Sequence, residues 1–407
     1  MKVLILGDFP HNSIALHGIA TVNKLSTLVN SMIYLDNSAT TKIDEENFQA
    51  MLPWMQEKFG NPSSAYGLGR QARVAIEEAR EEIASSINAH PAEIIFTSGG
   101  TESNNAILKS ACIESELTDS LLISAIEHHA VSHPAEWLAT KGFALHTAPV
   151  DNIGKVVEHW PELLPSQRSL ISFMHANNEI GIIQDICKIK ARMPDTCFVH
   201  TDAVQSYGKI PIDIDQLGVD FLSISAHKIH GPKGIGAMFI RKGIDFKSHQ
   251  HGGGQERNRR AGTESPALIV GFQYAARKAM KEMEQRHVHM RALQDHMRSL
   301  IREQIPQARI NTTESHADSL PSILNVSFSD IQDGESILQL MDMANIAVSN
   351  GSACVSGSQQ PSHVLQAIGL SDKEAKAAVR FSFCKDNTKD EVEKAVSQLK
   401  SIIDSMS

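Results

Sequence analysis

The sequence lacks the long apolar runs that would place it in a membrane. No uninterrupted run approaches the roughly 20 apolar residues that span a bilayer, and the apolar start at residues 3–6 is cut short by Gly-Asp-Phe-Pro at 7–10. That start is too short for a signal peptide, and residues 1–31 lack the arginine-rich character of a transit segment. We therefore expect a cytoplasmic protein that contacts no membrane. Residues 1–31 are an amino-terminal extension whose status stays open: either Met32 is the true start, or they add a strand and a turn.

Positive charge and cysteine are also scarce. The chain has 38 Lys and Arg against 47 Asp and Glu, a formal net charge of -9, and no long basic stripe. We therefore expect no direct nucleic-acid partner. The cysteines number five, an odd count without paired spacing, which argues against a disulfide framework and for a reducing compartment. With 407 residues, 42% of them hydrophobic, the chain is long enough for two domains.

Several ligand-binding signatures are missing as well. Neither glycine-rich stretch matches a Walker P-loop, and Gly-Ile-Gly at 234–236 lacks the third glycine of a dinucleotide fingerprint. ATP and NAD are therefore disfavoured. His129 and His133 are four residues apart, as zinc ligands on a helix would be, but no HExxH run and no third ligand accompany them. We predict no metal site.

The pattern that is present is an alternation of short apolar runs with helical or loop stretches. It follows an amphipathic helix predicted over 64–87 and indicates a mostly parallel sheet wrapped by helices. A charged helical stretch over 267–304 then precedes a second, mixed region, and we place a domain boundary inside it. The runs predicted as strands are 94–97, 121–124, 170–173, 198–200, 221–225 and 237–240, followed in the second region by 323–328, 346–348 and 379–383.

Lys228 has the most informative position in the sequence. It comes shortly after the apolar run 221–225, and Gly231-Pro232 stops whatever begins there, so it lies at the carboxyl end of a strand, where open α/β sheets bind ligands. A partly desolvated lysine near other cations has a lowered pKa and forms a Schiff base with a carbonyl compound such as pyridoxal phosphate. The alternative is a solvated lysine in a turn, and it is rejected because other segments supply the rest of such a site.

Three further segments suit that cofactor. Residues 97–104 form a strand end, a glycine turn and a helix start, whose free N–H groups and Thr101 hydroxyl fit a phosphate; an ordinary helix cap is equally compatible. Asp202 ends a strand and suits a pyridinium nitrogen, although a capping aspartate is common. His128 follows another strand and could stack on the ring and move protons.

Two more residues suit the substrate. Cys354 lies in a loop of small and polar residues, where a thiol is accessible and becomes a nucleophile if a base draws off its proton; an incidental surface thiol is the alternative. Alternation in the strand 379–383 puts Arg380 on the face opposite to Val379, Phe381 and Phe383. Arg380 could then clamp a substrate carboxylate bidentately, or simply lie at the surface.

Seven segments, in order, resemble the cysteine desulfurases, which are fold-type I pyridoxal phosphate enzymes. The resemblance begins near Met32 and runs to the end of the chain. It implies an α/β protein with a seven-stranded, mostly parallel sheet in a large domain over 39–286. A smaller α+β domain over 32–38 and 287–407 would carry the cysteine loop. The segments are 34–41, 60–64, 97–104, 175–181, 225–234, 251–257 and 351–354.

The resemblance also implies a role for each matching residue. Lys228 would hold pyridoxal 5'-phosphate, His128 would stack on it as acid and base, Asp202 would bind the ring nitrogen, and Gln205 would bind the phenolic oxygen. Asn37, Asn178 and Arg380 would bind the substrate L-cysteine, and Cys354 would attack its sulfur, releasing alanine and leaving a persulfide. The phosphate ligands would be Gly100, Thr101, Ser225 and His227, with Thr263 reaching in from a second subunit of a homodimer.

The sequence leaves the sulfur acceptor open. The polar loop resembles family members that pass sulfur to acceptor proteins, for iron-sulfur cluster assembly, tRNA thiolation or DNA modification. Two alternative functions remain at this point. One is a selenocysteine lyase or cysteine sulfinate desulfinase, in which Cys354 is dispensable. The other is a sulfur-relay scaffold that mainly docks acceptor proteins.

Overall fold

A computed structural model describes residues 32–164, 168–331, 334–351 and 360–406. The extension 1–31 and the predicted nucleophile Cys354 lie outside the described residues. The strands are β1 (Ile33–Tyr34), β2 (Ile94–Thr97), β3 (Ser120–Ser124), β4 (Ala144–Ala148), β5 (Ser169–Ser172), β6 (Phe198–Asp202), β7 (Phe221–Ser225), β8 (Gly236–Ile240), β9 (Ala308–Ile310), β10 (Ile323–Phe328), β11 (Ile346–Ala347) and β12 (Ala378–Ser382).

The α-helices cover both faces of the main sheet and one face of a smaller one. The predicted helix over 64–87 spans Gly67–Ser85, and the charged stretch 267–304 is two helices separated at Glu282. The helices are α1 (Glu45–Gln56), α2 (Gly67–Ser85), α3 (Gly100–Lys109), α4 (His129–Ala139), α5 (Ile186–Lys190), α6 (Ile214–Leu217), α7 (Pro266–Lys281), α8 (Met283–Gln304), α9 (Glu335–Met343), α10 (His363–Ala367), α11 (Asp372–Lys376) and α12 (Lys389–Met406).

The main sheet has seven strands in the order β2-β8-β7-β6-β5-β3-β4. The strands from β7 through β4 pair in parallel, and β8 runs antiparallel to both of its neighbours. The predicted mostly parallel α/β sheet is therefore confirmed. Its alternating side chains are buried on both faces: Leu122 and Ile224 pack on one side, and Leu121 and Met238 on the other.

The predictions missed the edge strand β4. Its residues Ala-Leu-His-Thr-Ala are mostly exposed or half-buried, so they lack the apolar run that marks the inner strands. The strand nevertheless forms because β3 offers it a parallel partner from Ser120 to Ser124.

The carboxyl-terminal region contains two small sheets around its own core. An antiparallel sheet has the order β12-β10-β9, and β1 pairs in parallel with β11. The amino-terminal strand thus joins the carboxyl-terminal region, where Leu35 packs with residues of α8, β10, β12 and α12. Within the described ranges, none of the helices is both long enough and apolar enough to cross a membrane.

Candidate active site

A cavity of about 320 Å³ opens where the parallel strands end. β6 ends at Asp202, and Lys228 follows the end of β7 by three residues. The carboxyl-terminal region closes the cavity with Gly351 and Arg380. Gly351 has φ +102°, and a Cβ there would lie 2.6 Å from the buried carboxylate of Glu179, so this corner of the wall requires glycine.

Lys228 lies in a single turn that starts directly after β7. Its Nζ donates to two backbone carbonyls, those of Ser38 at 2.5 Å and Ala39 at 2.7 Å. The segment that carries these carbonyls is fixed to the same turn, because the backbone N–H of Thr41 donates to the carbonyl of His227. The predicted place of Lys228 at a strand's carboxyl end is the one found in the structure, where the residue also lines the cavity.

The carboxylate of Asp202 is buried and held on both oxygens. Oδ2 accepts from Asn104 Nδ2 at 2.6 Å, and Oδ1 accepts from the backbone N–H of Val204 at 2.9 Å. The sequence analysis gave Asn104 no role. Its contact with Asp202 could have been predicted, because Asn104 stands one helical turn after Gly100, on the α3 face that meets β6.

His128 precedes α4 as its N-cap. Its Nδ1 accepts from the backbone N–H of Ala130 at 3.0 Å, so the neutral ring carries its proton on Nε2. Burial holds the pKa of His128 below its usual value, with Lys228 acting in the same direction and Asp202 against them. The ring is therefore neutral near pH 7, and the proton it offers to the cavity is at Nε2.

An anion cradle lies beside Lys228. Helix α3 begins at Gly100, so the first N–H groups of a ten-residue helix are free to bind an anion. The hydroxyl of Ser225 points into the same space, and although it is buried, Oγ has no hydrogen-bond partner among the described residues. Burial, with Lys228 close by, lowers the pKa of His227 to about 3, so its ring is neutral there. An unpartnered hydroxyl at a helix start fits a phosphate group.

Arg380 is buried rather than exposed, although β12 is an edge strand. The residue is 1% accessible; Nη1 donates to the carbonyl of Asn178 at 2.9 Å and Nη2 to Asp36 Oδ1 at 2.6 Å. Its Nε has no partner in the described part of the chain. The predicted alternation is confirmed, because Val379, Phe381 and Phe383 pack in the core behind it.

Most of the sequence-predicted residues that the structure describes line this cavity or the adjoining anion cradle, but Asn37 and Thr263 do not. Asn37 is not part of the cavity wall, and its Nδ2 donates to the carbonyl of Ser382 at 2.8 Å. Thr263 is exposed and is not part of the cavity wall. The residues that are brought together are Gly100, Thr101, His128, Asn178, Asp202, Gln205, Ser225, His227, Lys228 and Arg380.

The potential metal ligands that lie close together are not part of this cavity wall. His129 and His133 stack at 4.5 Å between ring centroids. In the described ranges, the group of three ligand atoms within 4.8 Å of one another consists of His230, Cys384 and Asp386. The carboxylate of Asp386 already accepts from Lys385 Nζ. The trio therefore carries no metal assignment here.

Glu127 is a buried carboxyl to which sequence reasoning gave no role. Its Oε1 accepts from the Ser124 hydroxyl at 2.5 Å and from the backbone N–H of Met174 at 2.8 Å. Burial raises the pKa of Glu127 to about 8, with the nearby Asp202 acting in the same direction. The group therefore takes up a proton on folding between its unfolded pKa, near 4.5, and about pH 8.

We expect Glu127→Gln to remove a pH dependence of stability. A folded-state pKa above the unfolded one gives stability that is complete below the unfolded pKa and is lost as pH rises to about 8. Across this window, the free energy of unfolding of the wild type should fall by roughly 1.4 kcal/mol per pH unit relative to that of the variant. Denaturant unfolding at pH 5, 6, 7 and 8 measures it, with the exposed Glu136→Gln as control. Parallel curves for wild type and Glu127→Gln would contradict the burial argument.

The lysine amine, neutral imidazole, buried carboxylate and anion cradle, at the carboxyl edge of this sheet, define a fold-type I pyridoxal phosphate enzyme. The Aminotransferase class-V family model matches residues 33–395. Cysteine desulfurase IscS of Dictyoglomus turgidum is 44% identical over 92% of this chain and 95% of its own. The chain belongs to the cysteine desulfurases of the class-V aminotransferase family, and its cofactor is pyridoxal phosphate.

Solved structures agree with the family. A NifS-like protein superimposes with a TM-score of 0.84 at 38% identity, covering 92% of this chain and 99% of its own. A structure described as SspA in complex with cysteine superimposes with a TM-score of 0.73 at 33% identity, covering 86% of this chain and 98% of its own. These similarities extend over the sheet and the carboxyl-terminal region alike.

Proposed function

We propose that this cysteine desulfurase transfers the sulfur of L-cysteine to the thiol of Cys354, giving L-alanine and a cysteine persulfide. The exchange balances, because the substrate's carbon-sulfur bond breaks, a sulfur-sulfur bond forms, and the substrate carbon gains a proton. The observation that carries the proposal is the convergence of Lys228, His128, Asp202 and Arg380 on one cavity. The bound cofactor supplies an electron sink for the bonds broken at the substrate.

The chain's own residues divide the remaining work. Lys228 binds the cofactor covalently, and Asp202, held by Asn104, keeps the ring nitrogen protonated. His128 presents the proton on Nε2 to the cavity, where a leaving or arriving proton can be exchanged. Asn178 lies beside Arg380 in the cavity wall. The guanidinium fixes the substrate carboxylate, because its fork matches two carboxylate oxygens.

The protein works as a homodimer in the cytoplasm, in this proposal. Thr263 is exposed and outside this cavity wall, which suits a residue that serves the phosphate of the partner subunit. The persulfide is passed to an acceptor protein whose identity is left to experiment.

The chain divides into a large domain over 39–286 and a small one over 32–38 and 287–407, and the pairing of β1 with β11 supports this division.

Product analysis together with one substitution tests the function. Holoenzyme given L-cysteine should form alanine and persulfide in equal amounts. With Arg380→Lys we expect the KM for cysteine to rise by about 10- to 100-fold, because the ammonium cannot make the paired contact. Cofactor content should be unchanged, since the clamp does not touch the phosphate.

Two outcomes would count against the proposed reaction, and a third against the role of Arg380. Faster alanine release from selenocysteine or cysteine sulfinate than from cysteine would identify a lyase instead. Slow turnover, with tight binding of an acceptor protein that does not stimulate it, would identify a docking scaffold. Loss of bound cofactor from Arg380→Lys would mean that Arg380 is structural rather than substrate-binding.

A further inference from the structure

A second buried lysine lies beside the active site. Lys209 follows the end of β6 by seven residues and is 8% accessible. Its Nζ donates to Gln205 Oε1 at 3.0 Å. It lines a small hollow of about 20 Å³ that Lys228 also lines. Gln205 forms part of the main cavity wall, so it stands between Lys209 and the reaction space.

The fold alone does not account for this amine. Burying an ammonium group is costly unless a carboxylate compensates it, and none of the described salt bridges involves Lys209. Burial lowers the pKa of Lys209 to about 7, with Lys228 and Arg380 acting in the same direction. A methionine would fill the same space without that cost. The charged and titratable groups that face Lys209 or its hollow are Lys228, Arg380, Cys384, His230, Arg286 and Lys385.

The hydrogen bond of Lys209 decides which way the Gln205 amide points. Below about pH 7 Lys209 is an ammonium group, which donates and never accepts, so the amide then turns Oε1 toward Lys209. Nε2 then points the other way and donates to the carbonyl of Ser38 at 2.9 Å, the same carbonyl that accepts from Lys228. The oxygen of the Gln205 amide therefore faces Lys209, and its N–H groups face the cavity side.

We propose that Lys209 is a positioning residue for the desulfurase reaction, which holds the Gln205 amide with N–H rather than oxygen toward the cofactor. The inference rests on the proposed function and on the role that the resemblance to the cysteine desulfurases implies for Gln205, which is to bind the cofactor's phenolic oxygen. A donor stabilises negative charge on that oxygen, whereas an amide oxygen in its place would repel it. Without Lys209, the carbonyl of Ser38 alone favours this orientation, so the opposite orientation of the amide becomes more accessible.

The test is a pH titration of the holoenzyme's visible absorbance without cysteine. With Lys209→Met the midpoint should rise by roughly one pH unit, because losing the positive charge and admitting the amide oxygen both favour the protonated cofactor. The exposed Lys188 provides a matched control, and Lys188→Met should leave the midpoint unchanged. An unchanged midpoint in Lys209→Met would overturn the proposal.

A double-mutant cycle separates positioning from simple charge. Gln205→Leu alone should raise the midpoint, and adding Lys209→Met should then shift it by less than half of the shift seen with Gln205 present. Equal shifts in both backgrounds would show that Lys209 acts through its charge and not through Gln205, which overturns the positioning role.

A conservative variant, Lys209→Arg, covers the case in which Lys209→Met fails to hold cofactor. It keeps both the charge and the hydrogen-bond donor, so its midpoint should stay close to that of the wild type. A Lys209→Arg midpoint displaced as far as that of Gln205→Leu would overturn the proposal. Because the titration contains no cysteine, failure of alanine formation would reject the proposed function without deciding the role of Lys209.

Discussion

With Lys228→Ala we expect no alanine from L-cysteine and no cofactor that borohydride can fix to the chain. The amine at the end of β7 is held in the cavity by the carbonyls of Ser38 and Ala39, and alanine provides no nitrogen for the covalent bond. Turnover should fall by roughly three orders of magnitude or more. Visible absorbance should vanish or become that of loosely held cofactor.

The exposed Lys242→Ala is the matched control, and it should keep full activity and fixable cofactor. Retention of fixable cofactor in Lys228→Ala would show that another lysine forms the bond. Lys209 would be the first to examine, because it lines the same hollow as Lys228. Peptide mapping after reduction identifies the lysine directly.

With Cys354→Ser we expect cofactor and cysteine to bind while alanine and persulfide almost disappear. A serine hydroxyl is a far poorer nucleophile toward sulfur near neutral pH than a thiolate. A single turnover of the wild type followed by mass spectrometry should find the added sulfur on the peptide that contains Cys354. Full alanine formation by Cys354→Ser would favour the lyase alternative.

The other four cysteines provide the control. Burial raises the pKa of both Cys112 and Cys384 to about 11, so these thiols stay protonated near neutral pH. Cys197 is buried, whereas Cys187 is exposed on a short helix. Replacing all four together should leave activity largely intact. Added sulfur on any of them instead of Cys354 would contradict the assignment.

The inner sheet and the position of Lys228 could be predicted because each depends on local sequence. A buried parallel strand is a continuous apolar run, and the residues directly after such a run lie at the ligand-binding edge of the sheet. The Arg380 face followed from the two-residue period of a strand. Its burial did not follow, because it depends on Asp36 and on the carbonyl of Asn178, about 340 and 200 residues away in sequence.

Several polar contacts could not be predicted from the sequence. Asn37 belongs to a segment that matches the family, yet its amide nitrogen bonds the carbonyl of Ser382. The partnership of Lys209 with Gln205 spans only four residues, but nothing in the sequence shows that both side chains are buried. The raised pKa of Glu127 likewise reflects desolvation, which depends on the packed structure.

The two carbonyls that hold Lys228 belong to the short segment after β1, and β1 pairs with β11. The free amine therefore joins the amino-terminal segment to the turn after β7. A lysine that held the cofactor covalently would have fewer hydrogens for those carbonyls. The backbone N–H of Thr41, however, donates to the carbonyl of His227, and Gln205 Nε2 donates to that of Ser38, so the segment has further attachments beside the cavity that do not depend on the lysine amine.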